Sequence, residues 1–327
     1  MTTTKTHLKL GSNLCPFSRL SDRFVVEGYC QGYTFEKQLE MLSRIKGISG
    51  VGYGWPCGVK TGAALGKTIE NHGLKLATLD CNIYTEARFK LGSFTNPDKK
   101  IRRAAIARVK ETMDAAMEAG APDINLWPGH DGFDYFFQGH YADAWKWLIE
   151  GICTAAEHNP KMPISIEYKC KEPRANLYIA NAGKALWLVS KINKPGVGIT
   201  LDVGHSLAAL ENPAECAVLA LSEGRLQQIH VNDNYRDWDH DMIPGSVNVW
   251  DFIEFFYWTR KLGYKGWYCI DSYPYREDGT LALQRASQVC HKCWKIADKL
   301  IAMNIEPLLR SNGHLEIMRR LWNRFKD

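Results

Sequence analysis

The sequence contains no apolar run of about 18 residues, the shortest stretch that usually crosses a membrane as a helix. Its N-terminal segment, MTTTKTHLKLGSNLCPF, also lacks the apolar centre of a secretory signal peptide. We therefore expect a cytoplasmic protein with no membrane partner. The 327 residues are 45% hydrophobic and 24% charged, which is typical of a globular enzyme-sized chain.

Strong net charge and nucleotide-binding motifs are also missing. The net charge is only +5, which argues against a nucleic-acid partner. The densest basic run, residues 99–110, places apolar residues at helical spacing and predicts one helix with a solvated face. No GxGxxG motif follows the first strand candidate, and GAALGKT (62–68) is one residue short of a phosphate-loop spacing.

The cysteines do not form a disulfide framework. There are ten, scattered along the chain, and several lie inside apolar runs. This pattern favours buried, reduced thiols in a reducing compartment. Cys290 and Cys293 have the spacing of a redox or zinc pair, but they lie in a helical pattern and no second pair accompanies them, so we expect a structural role.

Short apolar runs alternate with longer amphipathic segments along the chain. Strands that alternate with helices pair in parallel through crossovers, and eight such units at this length predict a closed (β/α)8 TIM barrel over residues 1–302. A doubly wound open sheet is the alternative. The strand candidates are residues 7–14, 50–56, 74–84, 123–129, 163–169, 196–205, 226–233 and 266–274.

The last segment, residues 303–327, predicts a helix appended to the barrel. Its apolar residues would pack on the outside of the barrel or on a partner, which favours an oligomer. They are Ile317, Met318, Leu321 and Trp322.

Four consecutive strand candidates end on a polar residue that could bind a metal. These residues are Glu167, Asp202, His230 and Asp271. The carboxyl ends of all barrel strands meet around one opening, so these side chains should be neighbours. Three carboxylates and one imidazole suit Mn²⁺, with Mg²⁺ or Co²⁺ possible, and the ion would make burial of Asp202 tolerable. Each residue taken alone could instead be an ordinary polar strand end.

Aromatic residues and histidines follow several strand candidates. Trp127 and Trp55 lie near the ends of the fourth and second strand candidates, Tyr135 follows the fourth, and such rings could stack on a sugar or on an aromatic group. His130 and His140 lie in the same fourth-strand segment and could exchange a proton near neutral pH. Some of these rings could equally belong to the core.

The segments IEYK, LDVGHS, HVNDNYR and CIDSY resemble the metal-bearing strand ends of xylose-isomerase-like TIM barrels, which include ketose 3-epimerases and rhamnose isomerases. The resemblance covers about residues 1–302. It implies that Glu167, Asp202, His230 and Asp271 are the metal ligands and that His205 and Arg236 contact the sugar. Ketose 3-epimerases use a pair of glutamates, so the shorter Asp271 departs from that branch.

The segment GHDGFDYFFQGHY resembles the catalytic subunits of bacterial C-glycoside deglycosidases, another branch of this superfamily. That resemblance implies an Mn²⁺ enzyme that cleaves the sugar–aryl carbon bond of 3-oxo-C-glucosides together with a small β-type subunit. Both branches remove a proton beside a sugar carbonyl. The base would be His140 or His130 in a deglycosidase, acting on an aryl C-glycoside, and Glu167 in an isomerase or epimerase of a small sugar.

We favour the deglycosidase. An aldose–ketose isomerase or ketose 3-epimerase is the main alternative. An abasic-site endonuclease of the same superfamily, which would need more histidine and glutamate ligands, and a non-catalytic sugar-binding protein also stay open.

Overall fold

A computed structural model describes residues 7–172 and 175–325 of the chain. Eleven short strands lie within these residues. Numbered along the chain, they are β1 (Leu10–Ser12), β2 (Gly50–Trp55), β3 (Lys75–Cys81), β4 (Ile124–Leu126), β5 (Gly132–Phe133), β6 (Ile164–Glu167), β7 (Lys171–Glu172), β8 (Ala175–Leu177), β9 (Val197–Asp202), β10 (Leu226–Val231) and β11 (Tyr268–Ile270).

Eight of the strands form a closed parallel barrel in the spatial order β1, β11, β10, β9, β6, β4, β3, β2. Strand β1 closes the barrel, because Gly11 pairs with Gly50 of β2 on one side and with Cys269 of β11 on the other. Each strand candidate in the sequence supplies one barrel strand. The (β/α)8 barrel is therefore confirmed, and its closure excludes the open sheet. Strands β5, β8 and β7 form a separate antiparallel sheet.

The helices of the described residues surround the barrel. None of them is both long enough and apolar enough to cross a membrane. They are α1 (Phe35–Ser43), α2 (Gly62–Asn71), α3 (Lys99–Ala119), α4 (Tyr141–Ala156), α5 (Ala182–Ile192), α6 (Val203–Ala208), α7 (Pro213–Ser222), α8 (Val249–Lys261), α9 (Gly279–Ala302), α10 (Glu306–Arg310) and α11 (His314–Phe325).

Helix α3 shows how the local sequence sets these elements. The carboxylate of Asp98 accepts a hydrogen bond from the Lys100 amide at 2.8 Å and caps the first turn. Gly120 ends the helix in the left-handed conformation, with φ of 76°, which costs a glycine little. Val109 and Met113 are fully buried on the inner face, whereas much of the basic run faces outward.

The cysteines are free thiols in the structure, in agreement with the expectation from the sequence. Cys290 and Cys293 are buried on α9. Burial raises the pKa of the Cys293 thiol to about 12, so this thiol stays protonated at neutral pH.

The C-terminal segment follows the end of α9 at Ala302 and contains two helices, α10 and α11, where the sequence suggested one. Ile317 and Leu321 of α11 pack against the core. Met318 and Trp322 lie on an exposed side of the same helix. The division into a barrel and a separate extension, and a partner on this helix, stay predictions.

Asp123, directly before β4, gives a pH-dependent stability prediction. Its side chain is buried and accepts a hydrogen bond from Thr78 Oγ1 at 2.9 Å. Burial raises its pKa to about 7. The folded protein therefore binds this proton more tightly than the unfolded chain does. The resulting stabilisation is full below about pH 4, the pKa of an aspartate in the unfolded chain. It is lost as the pH rises through about 7, the pKa of Asp123 in the folded protein.

Asp123→Asn should consequently raise the free energy of unfolding at pH 8 by about 1–3 kcal/mol and change it little at pH 4–5. Urea unfolding of metal-free protein at the two pH values measures the difference. Asp237→Asn is the matched control, because that side chain is 74% exposed and should show no such pH dependence. Equal stability of Asp123→Asn and the parent at pH 8 would contradict the prediction.

Candidate metal centre

Three carboxylates and one imidazole meet at the carboxyl end of the barrel. Glu167 ends β6, Asp202 ends β9, His230 is the next-to-last residue of β10, and Asp271 directly follows β11. These four strands are adjacent in the barrel, so residues far apart in sequence become neighbours. One ligand atom of each residue lies within 4.8 Å of those of the other three.

The spacing of these atoms fits a single divalent cation. His230 Nδ1 lies 3.3 Å from Glu167 Oε1, 3.7 Å from Asp271 Oδ2 and 3.9 Å from Asp202 Oδ2. Atoms that each lie about 2.1 Å from one ion are themselves separated by roughly 3–4 Å. Carboxylate oxygens with one imidazole nitrogen are a donor set suited to Mn²⁺, Mg²⁺ or Co²⁺. The four residues could therefore hold such an ion.

Each of these four side chains also contacts a side-chain amide. Amides that fix ligands in this way are ordinary partners around protein metal sites. Gln228 Oε1 is buried and has no partner among the described residues, so its amide can turn to accept the Nε2–H of His230 and leave Nδ1 free for the ion. The pairs are Asn125 with Glu167 at 2.7 Å, Asn232 with Asp202 at 2.8 Å, Gln228 with His230 at 3.1 Å, and Asn13 with Asp271.

Sequence reasoning missed these amides, although a signal was present. Asn125 interrupts the apolar β4, and Gln228 lies two residues before His230, which places both side chains on the same face of β10. Asn125 is also held from behind, because Thr200 Oγ1 donates to Asn125 Oδ1 at 2.7 Å. A polar residue in the middle of a buried strand can therefore indicate a residue that holds a metal ligand in place, and not only a metal ligand itself.

Asn125→Leu should lower the affinity for Mn²⁺ by about 10–100-fold, because Glu167 loses the amide that orients it. Isothermal titration of the metal-free protein with Mn²⁺ measures this loss. Asn159→Leu, the same change in the turn after α4, should bind Mn²⁺ like the parent protein. An unchanged affinity in Asn125→Leu would show that the amide does not support the site.

Histidines compensate the negative charge of the cluster in the free protein. Burial alone would raise the pKa of Glu167, but the charge and hydrogen bond of His230 outweigh burial and lower it. Burial opposes charge on His230, yet Glu167, Asp271 and Asp202 raise its pKa to about 10. Burial likewise raises the pKa of Asp202. A cation would take over the charge compensation that imidazolium provides, with release of the proton.

Three residues of the cluster, Glu167, His230 and Asp271, line a cavity of about 480 Å³, a volume typical of small-molecule sites. Aromatic rings form much of its wall, and the Trp127 and Tyr84 rings meet edge to face at 4.6 Å. Polar groups from other strand ends complete the wall. The residues that line the cavity include Tyr53, Tyr84, Trp127, Lys169 and His205.

Lys169 is a second residue that sequence reasoning missed. Its side chain is buried in the cavity wall, with Nζ 2.9 Å from Asp239 Oδ2 and paired with Glu172. The ammonium also lies 5.2 Å from the centre of the Trp127 ring. Burial would lower its pKa, but Asp239 and other acids raise the pKa well above the usual value, so the side chain stays charged. The sequence did contain a signal for Lys169, because it lies in the segment IEYK, two residues after Glu167.

Two of the five predicted substrate-binding residues line this cavity. Trp127 contributes its ring, and His205 lies between two acids, with Nδ1 3.3 Å from Glu167 Oε1 and Nε2 3.1 Å from Asp239 Oδ2. Burial opposes charge on His205, but Asp202 and Asp239 raise its pKa to about 9. His205 could therefore supply positive charge to a bound molecule.

The other three, Trp55, Arg236 and Tyr135, are not among the described residues that line the cavity. Trp55 is buried and donates from Nε1 to Glu111 of α3 at 3.2 Å. Arg236 forms an ion pair with Asp251 at 2.6 Å. Tyr135 is 72% exposed. Their role in binding a substrate stays a prediction.

The two predicted catalytic histidines lie together in a neighbouring cavity. His130 Nε2 is 3.0 Å from the backbone oxygen of Tyr84. His140 caps the start of α4, where its Nδ1 accepts from the Asp143 amide at 3.2 Å, and its side chain is 72% exposed. Both line the second cavity, whereas Glu167 lies in the first.

The closed barrel and its acidic centre agree with the family comparison. Residues 39–293 match the family described as Xylose isomerase-like TIM barrel. The match covers most of the chain, and the protein belongs to this family. The resemblance stated from the strand-end motifs is therefore confirmed at the level of the superfamily.

The individual proteins that are similar to this chain share less than a third of its residues. The chain is 28% identical over 228 residues to the xylose isomerase of Thermus thermophilus, a match that covers 67% of this chain and 59% of that enzyme. It thus spans about three fifths of the curated relative. Two solved structures share the fold: an L-ribulose 3-epimerase (TM-score 0.72, 14% identity, 90% and 97% of the two chains) and the E. coli 3-keto-D-glucoside 4-epimerase (TM-score 0.62, 16% identity, 88% and 100%).

Proposed function

We propose that this protein is a divalent-metal-dependent enzyme that removes a proton beside a sugar carbonyl and returns it, as a sugar isomerase or epimerase. The observation that carries the proposal is the convergence of Glu167, Asp202, His230 and Asp271 at the carboxyl end of the barrel, where Glu167, His230 and Asp271 line a cavity of suitable size. The names of the similar proteins, a xylose isomerase and two sugar epimerases, support it.

In this proposal the chain's own residues divide the work. Glu167 accepts the proton, because its carboxylate is held by Asn125 within the cavity. The charged Lys169 and His205 stabilise the negative charge that develops on the sugar oxygen. Trp127 and Tyr84 cover an apolar face of the sugar ring and exclude water. The divalent ion, which we propose to be Mn²⁺, with Mg²⁺ or Co²⁺ as substitutes, supplies Lewis acidity toward the sugar oxygens.

A second candidate is a C-glycoside deglycosidase that acts with a small β-type subunit. It is favoured by the cavity that His130 and His140 line next to the acidic centre. One of these histidines would remove the C2 proton of a 3-oxo-C-glucoside. The electron pair then forms the C1–C2 double bond, the bond from C1 to the aryl carbon breaks, and an acid protonates that carbon.

The two candidates give different products in D₂O. The Mn²⁺-loaded protein would be incubated with a panel of free ketoses and, separately, with a 3-oxo-C-glucoside, each with and without the proteins encoded beside it. Deuterium in a ketose at C1 or C3, without aglycone release, supports the isomerase or epimerase. Release of the aglycone, above all only with a small partner protein, supports the deglycosidase. If no compound yields either product, both candidate functions are refuted.

A further inference from the structure

Asp80 is a carboxylate in the wall of the first cavity that the proposed reaction does not use. It is the next-to-last residue of β3 and pairs in register with Asn125 of β4, so the two side chains lie on the same face of the barrel sheet. Its Oδ1 atom is buried and has no hydrogen-bond partner among the described residues. A buried acceptor without a partner is unfavourable, which points to a donor that a bound molecule supplies.

The space beside Asp80 is left open by two glycines of β2. Gly54 is the register partner of Asp80, Gly52 lies two positions earlier on the same face, and both line the cavity. A Cβ atom at Gly54 would meet no other atom within 4 Å, and a Cβ atom at Gly52 would lie 4.0 Å from Asp80 Oδ2. Glycine inside a strand often marks a place where a ligand approaches the backbone. The carboxylate of Asp80 is therefore accessible to a group of a bound molecule.

Asp80 lies across the cavity opening from the proposed metal ligands. Those ligands belong to β6, β9, β10 and β11, which are adjacent in the barrel. Strand β3 is separated from β6 by β4, and on the other side β2 and β1 separate it from β11. One cavity is lined by both groups of residues. A sugar whose carbonyl end lies at Glu167, His230 and Asp271 therefore has Asp80 in the same cavity for the hydroxyl groups of its other carbons.

We propose that Asp80 accepts a hydrogen bond from a sugar hydroxyl group on a carbon that does not react, and that it thereby selects the sugar by stereochemistry. The proposal rests on the isomerase or epimerase function proposed above and names a residue that determines its substrate. An epimer whose hydroxyl group points away would leave Oδ1 buried without a partner in the complex. Sites built to bind a hydroxyl group discriminate strongly for this reason.

Hexitols test this contact, because they carry the hydroxyl groups of a hexose but no carbonyl and therefore bind without reacting. D-Glucitol, D-mannitol and galactitol would be titrated calorimetrically into the parent protein and its variants in Mg²⁺. We expect the parent to bind the best of the three tenfold or more tightly than the worst. Asp80→Ala should weaken the best by about 10–100-fold and reduce the difference to threefold or less. Asp123→Asn, at a buried aspartate that is not among the described residues lining the cavity, should bind like the parent.

A second variant blocks the contact without removing the carboxylate. Gly54→Val places a side chain in the open space beside Asp80 and should weaken the best hexitol by tenfold or more. Gly58→Val is the matched control, because a Cβ atom at Gly58 also meets no other atom within 4 Å, yet Gly58 is not among the described residues lining the cavity. This control should bind hexitols like the parent.

Thermal unfolding separates a binding role of Asp80 from a structural one. Asp80→Ala should melt at the temperature of the parent or above it, because Oδ1 has no partner to lose. A clearly lower melting temperature would show a structural role and overturn the proposal. So would a parent that binds no hexitol or binds all three equally, or a preference that survives Asp80→Ala or Gly54→Val.

The same samples distinguish a failure of this contact from a failure of the proposed reaction. Deuterium exchange into free ketoses together with a hexitol preference that survives Asp80→Ala would refute the contact alone. A hexitol preference that Asp80→Ala removes, without exchange into any ketose, would refute the proposed reaction alone.

Discussion

Asp202→Asn is expected to lower the affinity of the protein for Mn²⁺ by at least about 100-fold. Loss of a residue that only holds a ligand in place already lowers metal affinity by about 10–100-fold. The substitution at Asp202 removes both a ligand oxygen and a negative charge. The substitution should leave the fold intact, because asparagine keeps the Oδ1 atom that accepts from the His205 amide at 2.8 Å at the start of α6. Asn232, whose Oδ1 has no partner among the described residues, can turn its amide to pair with the new one.

Calorimetric titration with Mn²⁺ measures this affinity, and the shift in melting temperature on addition of Mn²⁺ measures it independently. A ligand at 100 times its Kd stabilises a protein by about 2.7 kcal/mol, and this stabilisation should disappear in Asp202→Asn. Asp123→Asn is the control, because Asp123 is also a buried strand-end aspartate but lies at the opposite end of the barrel. Stoichiometric Mn²⁺ with unchanged affinity in Asp202→Asn would show that the proposed ligand set is wrong.

The sequence predicted the barrel because its strands are buried on both faces. Strand β9 illustrates this, since Val197, Ile199 and Leu201 on one face are buried and so are Gly198 and Thr200 on the other. Parallel connection then brings all carboxyl ends to one side. The proximity of the four polar strand ends follows from these two facts alone, without knowledge of any loop.

Loop-borne residues could not be placed in the same way, because hydrophobic periodicity carries no information on loop conformation. Arg236 adopts a left-handed backbone, with φ of 68°, and pairs with Asp251 of α8. His140 begins a helix, so its position follows from capping geometry and not from a strand end. Tyr53, which lies on the same strand as Trp55, lines the cavity, whereas Trp55 donates to Glu111 of α3.

The two cavities also connect the two candidate functions. Glu167 and the charged Lys169 line the first cavity, and the two candidate histidines, His130 and His140, line the second. A base in the first cavity suits a proton that leaves and returns on the same sugar. A proton-transfer group in the second suits a reaction that expels the attached ring. The identity of the base therefore decides which reaction the geometry serves.

Glu167→Gln is expected to slow deuterium exchange into a ketose by about 10²–10⁴-fold when Mn²⁺ is saturating, because a general base contributes about this factor. Glutamine keeps the oxygen that accepts from Asn125, so the side chain stays in place. Exchange is followed by NMR in D₂O, and the bound Mn²⁺ is quantified in the same samples. Retained Mn²⁺ together with lost exchange separates the loss of a base from the loss of the ion.

His140→Asn tests the base of the other candidate reaction, the deglycosidase. Asparagine is itself a good helix cap, so α4 should keep its start while the imidazole is removed. For the isomerase or epimerase we expect exchange within about threefold of the parent in this variant. For the deglycosidase we expect aglycone release to fall by about 10²–10³-fold, which corresponds to about 2–4 kcal/mol of barrier. Full exchange in Glu167→Gln with bound Mn²⁺ would remove Glu167 as the base and return the assignment to His130 or His140.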